Sequence, residues 1–553
     1  MNIKGRDKEF RLAKVSYVDY KHIEIDRTLL NLFPRLKFDG YAGRVRSVPL
    51  TIEKFVEEFV DEQNKDKFRG FAKYRDVVYR WVETDLLDLV NRGRPTQAVV
   101  SPRPLHGNTY KYRNAKHARD YGTSEQIYWM LYHAKKGQAA RDALKSFIFS
   151  GLDPRTDKIQ LSSKIDVETQ AILHFDQTAQ VSDARDSKEP ERYPPLCLGQ
   201  ADLLADDVLR LLSYESYMPR SVLVDYLKTL FSFHLALYHF RLLKLLPALT
   251  QRGGLNINPC PRCYAETDDI AAEDCPYHTG FVVDMSDASN SHMMELARRS
   301  SDAHYRRIPG FIQAQFVVKK LDEMADYTAK TMGKMALPVA GYFSVKEVLQ
   351  FLQPAYAATR EAYFGQRLAR MIEESIGGDD DAVDPDIKQL MELQISDFDK
   401  YIEILTAART RFHRKYITDA LDSLSLKNSA SGFLRQSRKT GSPRWFTLGS
   451  RLLEVLLQIA VLEPRGSSFA TREIRVDELL TFLRLRYGLY IDRLPEGDGF
   501  QQTSITDRQA LRANVEAFKT RLREIGFFQD LSDAYITQTI TARYTIVAED
   551  LPR

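Results

Sequence analysis

The sequence predicts a mainly α-helical, multi-domain protein with minor β, a zinc-knuckle insertion and a C-terminal winged-helix-like domain. Three observations lead there. Long stretches repeat apolar residues at helical spacing. Three of the 4 cysteines crowd into one short segment, and the chain beyond Arg444 alternates helical patterns with short β-prone runs.

At 553 residues the chain exceeds one ordinary core, since domains run to roughly 100–200 residues. Lys plus Arg number 79 and Asp plus Glu 75, so the net charge of +4 excludes a polycationic nucleic-acid coat and an acidic disordered tail. With 44% hydrophobic and 28% charged residues the composition is that of a globular protein. Met1–Lys14 carries charges and no apolar run, so no signal peptide is expected. The longest uncharged run of the most apolar segment, Thr229–Phe240, is far shorter than the roughly 20 residues that span a bilayer. A cytoplasmic protein without a membrane span is the expectation.

The first segment, 1–190, opens with a strand-like stretch, Phe10–Asp26, rich in Val, Tyr and Ile. Helical patterns follow at Ile52–Gln63, at Phe71–Val90 before Gly93 and Pro95, and at Ser124–Phe149 before Gly151 and Pro154. The second segment, 191–378, is helical on both sides of a cysteine-bearing loop. Ser221–Leu246 is apolar nearly all round, as a helix central to a bundle is, which makes His234 and His239 satisfied core residues. Helices are expected again at Ser291–Tyr305, Phe311–Lys330 and Ser344–Ser375. The third segment, 379–443, begins in an acidic linker, Gly377–Asp386, that lacks the ligand spacing of a calcium loop. It continues as a helix from Ile387 to about Leu424 and a basic loop, Lys427–Arg444.

Cys260-Pro-Arg-Cys263 is a CxxC knuckle, and eleven residues later Cys275-Pro-Tyr-His278 supplies a CxxH pair. Two short chelating turns offering Cys260, Cys263, Cys275 and His278 suit tetrahedral zinc. Four protein donors close the coordination sphere, so the metal is expected to be structural. Pro259-Cys260 matches half of a deaminase pattern, but the only His-x-Glu, His22-Ile23-Glu24, lies in another segment. A redox CxxC is the weaker reading, because Cys275 and His278 extend the set and no βαβ pattern surrounds it.

The fourth segment, 444–553, reads as helix (Trp445–Glu463), short strand (Glu473–Val476), helix to Tyr487, helix (Asp507–Ile525) and β-prone wing (Tyr535–Val547). That order is a winged helix. At about 100° per residue, Leu511, Val515, Phe518, Leu522 and Ile525 of the third helix share one arc, and Arg508, Arg512, Lys519 and Arg523 fall beside it. An apolar face that docks and a basic edge left outside suit a helix that touches phosphates. Basic surface also concentrates in residues 101–150 and 401–450, each with 9 Lys plus Arg against 3 Asp plus Glu. The first window holds Lys111, Arg113 and Lys116 among tyrosines that can stack on bases. The second holds Arg435, Arg438 and Lys439, preceded by Arg409, Arg411, Arg414 and Lys415. DNA is therefore a candidate partner. No P-loop, dinucleotide fingerprint, HExxH or GxSxG elbow occurs, so catalytic residues are unassigned.

The segments MPRSVLVDYLKTLFSFHLALYHFRLL, CPRC with CPYH, RRIPGFIQAQFVVKKLDE and RLREIGFFQDLSDAY resemble proteins encoded in bacterial anti-phage defence islands, notably a component of methylation-associated defence systems. The resemblance covers most of the chain from about residue 200. It implies a subunit acting beside other defence-system proteins, and it carries over no catalytic residue. The combined expectation is a non-catalytic, zinc-containing DNA-binding or scaffolding subunit of a restriction-type defence complex. A nuclease with a divergent site and a pure protein-interaction adaptor are the alternatives.

Overall fold

The computed structural model describes residues 5–547 except 46–49, 62, 64, 65, 67, 153–164, 180, 252–274, 287, 289, 332–336, 377–384, 440, 467, 498, 501, 502 and 529–538. The fold is mainly α with minor β, as the periodicity predicts. Its N-terminal part holds helices α1 (Ile25–Lys37), α2 (Ile52–Val60), α3 (Arg75–Trp81), α4 (Thr123–His133), α5 (Gly137–Phe149) and α6 (Val167–Ala179). Then come α7 (Leu198–Leu212) and the 32-residue α8 (Arg220–Gln251). The middle continues with α9 (His292–Tyr305), α10 (Ile308–Asp326), α11 (Val345–Gln350), α12 (Ala357–Ile376), α13 (Pro385–Glu392) and α14 (Asp397–Leu424). The last helices are α15 (Ser450–Ala460), α16 (Val476–Tyr487) and α17 (Ile505–Glu524).

The sheets are two-stranded ribbons that staple neighbouring segments. β1 (Gly43–Val45) lies antiparallel to β4 (Asp183–Arg185), and β2 (Leu87–Val90) to β3 (Ala98–Pro102). β5 (Phe281–Val282) is joined in parallel by β11 (Leu489–Tyr490). β6 (Leu434–Gln436) and β7 (Arg444–Phe446) form a hairpin within the predicted basic loop. β8 (Leu462–Arg465) and β9 (Ser468–Thr471) form another, and β10 (Ile474–Arg475) pairs with β12 (Thr539–Ile540). The three C-terminal helices come in the predicted order, but β7 and β8 take the two ends of the predicted Trp445–Glu463 helix, and the β8–β9 hairpin and β11 are added. The start of the predicted wing, up to residue 538, lies outside the described residues, as does most of the acidic linker.

α8 is buried on every side, which is why its sequence lacks a polar stripe. It packs against α1, α7, α10, α14 and α15. One apolar core runs around it from Phe10 to Ile546 and passes through all four sequence segments. A smaller cluster joins Phe55, Phe59, Val82, Val99 and Phe175 in the N-terminal part. The histidines of α8 are satisfied as expected. His234 lies 2.9 Å from Asp207 and 3.0 Å from Gln200. His239 donates from Nδ1 to the Leu235 carbonyl at 2.7 Å, and burial pushes it down to about 4, so it is neutral.

Several expectations are corrected. The helix predicted for Ser344–Ser375 is divided into α11 and α12, and the one from Ile387 to about Leu424 into α13 and α14. Phe10–Glu24 forms no strand, and α1 begins inside the predicted stretch. Its backbone groups pair with side chains instead: the Tyr17 amide donates to Gln126 at 3.0 Å and the Val18 amide to Ser16. The helix predicted to run to Val90 ends earlier, and Leu87–Val90 becomes β2, turned by Asn91 and Gly93, both at positive φ. The helix predicted for Ser124–Phe149 breaks at Ala134, whose extended backbone ends α4. α5 restarts at Gly137, where a Cβ would lie 1.7 Å from the Leu131 carbonyl oxygen.

Candidate functional site

Of the four predicted zinc ligands, Cys260 and Cys263 lie outside the described residues. Cys275 and His278 are described. The His278 amide donates to the Cys275 carbonyl at 2.8 Å, which closes the CPYH turn. Cys275 is buried. Lys244 of α8 holds the turn by donating to the His278 carbonyl at 2.8 Å. The imidazole rests against Gly488, where a Cβ would come within 3.0 Å of its Cε1. The turn therefore sits at the seam between α8 and β11, where a closed metal site would tie two distant parts of the chain. Among the described residues no group of three or more His, Cys, Asp or Glu could hold a metal ion.

Cys197, which stands apart in sequence, lines the same cavity of about 210 Å³ as Cys275. It precedes the first residue of α7, and Arg241 Nη1 lies 3.3 Å from its sulfur.

α17 carries the predicted basic edge. Its Ser504 N-cap is a reciprocal capping box with Asp507, which also meets His292 of α9 at 2.7 Å. Leu511, Phe518 and Leu522 are buried, and Val515 and Ile525 are half-buried, as the apolar arc requires. Buried Asn514 clamps the helix in place. Its amide donates to the carbonyls of Val283 and Ile491, both at 2.9 Å, and its oxygen accepts the Met285 amide at 2.8 Å. The opposite edge faces out. Arg508 and Arg512 are exposed and form no ion pair among the described residues. Lys519 pairs with Glu516 at 2.8 Å, and Arg523 stacks over Phe528.

The other predicted cations divide by environment. Lys111 lies 3.4 Å from buried Asp176, which also accepts the Tyr112 hydroxyl. Arg113 donates to the carbonyls of Tyr110 and Gly43, and burial lowers its pKa. Both serve internal packing, whereas Lys116 is exposed. In the β6–β7 hairpin Arg435 is half-buried, while Arg438 and Lys439 stand exposed near the turn. Arg444 is held by Asp422 in a bidentate pair with both distances 2.8 Å.

The family model of methylation-associated defense system protein MAD7 matches residues 5–544. The chain belongs to this family. No curated protein and no solved structure matches it significantly. The match takes in the N-terminal part as well as the region beyond residue 200 where the resemblance is legible. It identifies a defence-system component and assigns no residue of the family a role. Among the described residues no helix is long and apolar enough to cross a membrane.

Sequence reasoning missed a buried electrostatic cluster of this family member. Asp206 and Asp207 of α7 both pair with Arg486 of α16. Asp206 also holds Arg210, and Asp207 accepts from Tyr487 at 2.8 Å while facing His234. Burial alone would raise both carboxyls, but Arg486 and its neighbours reverse that and hold them below the usual range. An Asp-Asp pair on a helix carries no sequence signal that its partner lies in the C-terminal unit. Asn514 gave no signal either.

Proposed function

We propose that this chain is a non-catalytic, zinc-stapled DNA-contacting subunit of a bacterial anti-phage defence complex. One observation carries the reading. α17 is bolted to the body through Asn514 and an apolar arc, so Arg508 and Arg512 present their charge outward, with no carboxylate among the described residues to neutralise it. A fixed helix with free guanidinium groups is suited to phosphates. Zinc on Cys260, Cys263, Cys275 and His278 would lock the loop just before β5, and Asn514 closes on Val283 and Met285 just after that strand. Other defence-system proteins are the expected partners, and chemistry on the bound DNA would fall to them.

The test is binding of the full chain to duplex DNA across a salt series. In the double variant Arg508→Glu, Arg512→Glu, affinity should fall and the salt slope should shrink by roughly two units. Elemental analysis of the same preparations should find about one zinc per chain, the four ligands forming one tetrahedral site. The double variant Cys260→Ser, Cys263→Ser should lose it. Unchanged duplex binding in the folded arginine variant would transfer the reading to a protein-interaction adaptor. Absence of zinc from the parent would remove the staple.

A further inference from the structure

A second surface of different character lies on α14. Arg411, Arg414 and Lys415 are exposed, and with Arg444 they line an open cleft of about 650 Å³. Arg411 and Arg414 make no ion pair among the described residues, and Asp419 is the only carboxylate on the cleft wall. At roughly 100° per residue the next arc of the helix carries Phe412, Tyr416 and Arg409. Phe412 is 47% exposed. Arg409 stacks on its ring at 4.4 Å, and Tyr416 lies 4.7 Å away, centroid to centroid. The guanidinium and the two rings, which are tilted by 55° to each other, form a short ladder at the helix surface.

Beyond that ladder lies a groove of about 900 Å³ that also touches Arg409, Phe412 and Tyr416. Its far walls hold Glu9, Asp19, Asp186, Glu189, Asp322 and Asp326 along with several cations. The ridge of α14 therefore separates a cationic cleft from a groove whose charges are mixed. A duplex laid across it would push one phosphate row toward those carboxylates. A single strand avoids this, because its phosphates and bases can go to opposite sides of the ridge.

We propose that this ridge binds single-stranded nucleic acid. Phosphates sit against Arg411, Arg414 and Lys415, and unpaired bases stack on Phe412 and Tyr416. Every base has a π-face, so the recognition is tolerant of sequence. The inference rests on the reading that this protein contacts nucleic acid but uses none of the α17 residues.

The experiment measures anisotropy of a labelled oligo-dT strand and of a labelled duplex of equal length with the full chain. Phe412→Ala with Tyr416→Ala should weaken single-strand binding about tenfold and leave the duplex unaffected, since stacking on two rings is lost. Tyr416 is half-buried, so a second variant, Arg411→Glu with Arg414→Glu, tests the same ridge through fully exposed positions. It should weaken the single strand and flatten its salt dependence. Parent-like single-strand affinity in both variants would overturn the proposal. A parent chain that binds duplex but no single strand would overturn it while sparing the role of α17. A parent that binds neither would overturn both.

Discussion

Two arginine-bearing helices of the C-terminal unit make opposite use of the same side chain. On α16, Arg486 is spent inside the molecule, pinned between Asp206 and Asp207. On α17, Arg508 and Arg512 are exposed and reach no carboxylate among the described residues. The difference is made by a distant helix: α7 delivers two acids to one arginine and none to the others. Local charge counts are blind to it. A guanidinium becomes a tether or a recognition group according to what the rest of the chain carries to it.

The sharpest way to break this contrast is Arg486→Met. It takes the guanidinium from fully buried Asp207, while Asp206 keeps Arg210, and should destabilise by about 3–5 kcal/mol, read as a lowered denaturation midpoint. A midpoint equal to the parent's would mean that the α7–α16 pair does not hold the C-terminal unit. The next effect is on acid stability. The folded pKa values of Asp206 and Asp207 are depressed, so their contribution is full above the ordinary carboxylate range, near pH 4. It is lost as pH falls from there toward the folded values. Denaturation midpoints measured down an acid series should therefore drop steeply in the parent and more gently in Asp206→Asn. Parallel curves would sink the assignment. The smallest effect is expected on α17: the Arg508→Glu, Arg512→Glu variant should melt at the parent temperature. A large loss there would mean those arginines are structural after all, and the contrast would collapse.

Much of the helical inventory was legible, because period is a local property. α8 announces itself by apolarity on every face, and α17 by an arc of Leu and Phe beside a row of Arg and Lys. α1 was missed, since Pro34 inside it reads as a breaker, although it falls in the last turn. α7 was missed although Leu203, Leu204, Val208 and Leu211 repeat at helical spacing, because Asp202, Asp206 and Asp207 make the stretch look solvated. The basic windows were found, but which members face water depends on Asp176, Asp422 and other partners far along the chain. Lys111 and Lys116 are five positions apart and live in different environments. The CxxC…CxxH spacing is a local signal. That its second half would rest against Gly488 is a tertiary fact no spacing contains.

The parallel β5–β11 ribbon has a consequence for how the molecule comes into being. The turn bearing Cys275 and His278 leaves the ribosome long before Leu489 and Tyr490, the residues that pair with the strand following it. Until α15 and the residues after it arrive, α8 has an apolar flank open to solvent, and the nascent chain must be kept from sticking to others. Synthesis, not diffusion, then sets the pace at which the core can close, because contacts of such high sequence separation form last. A nonsense mutation within the last helices would leave an unfinished hydrophobic shell open to proteolysis, so damage there should abolish the entire subunit and not merely one of its surfaces.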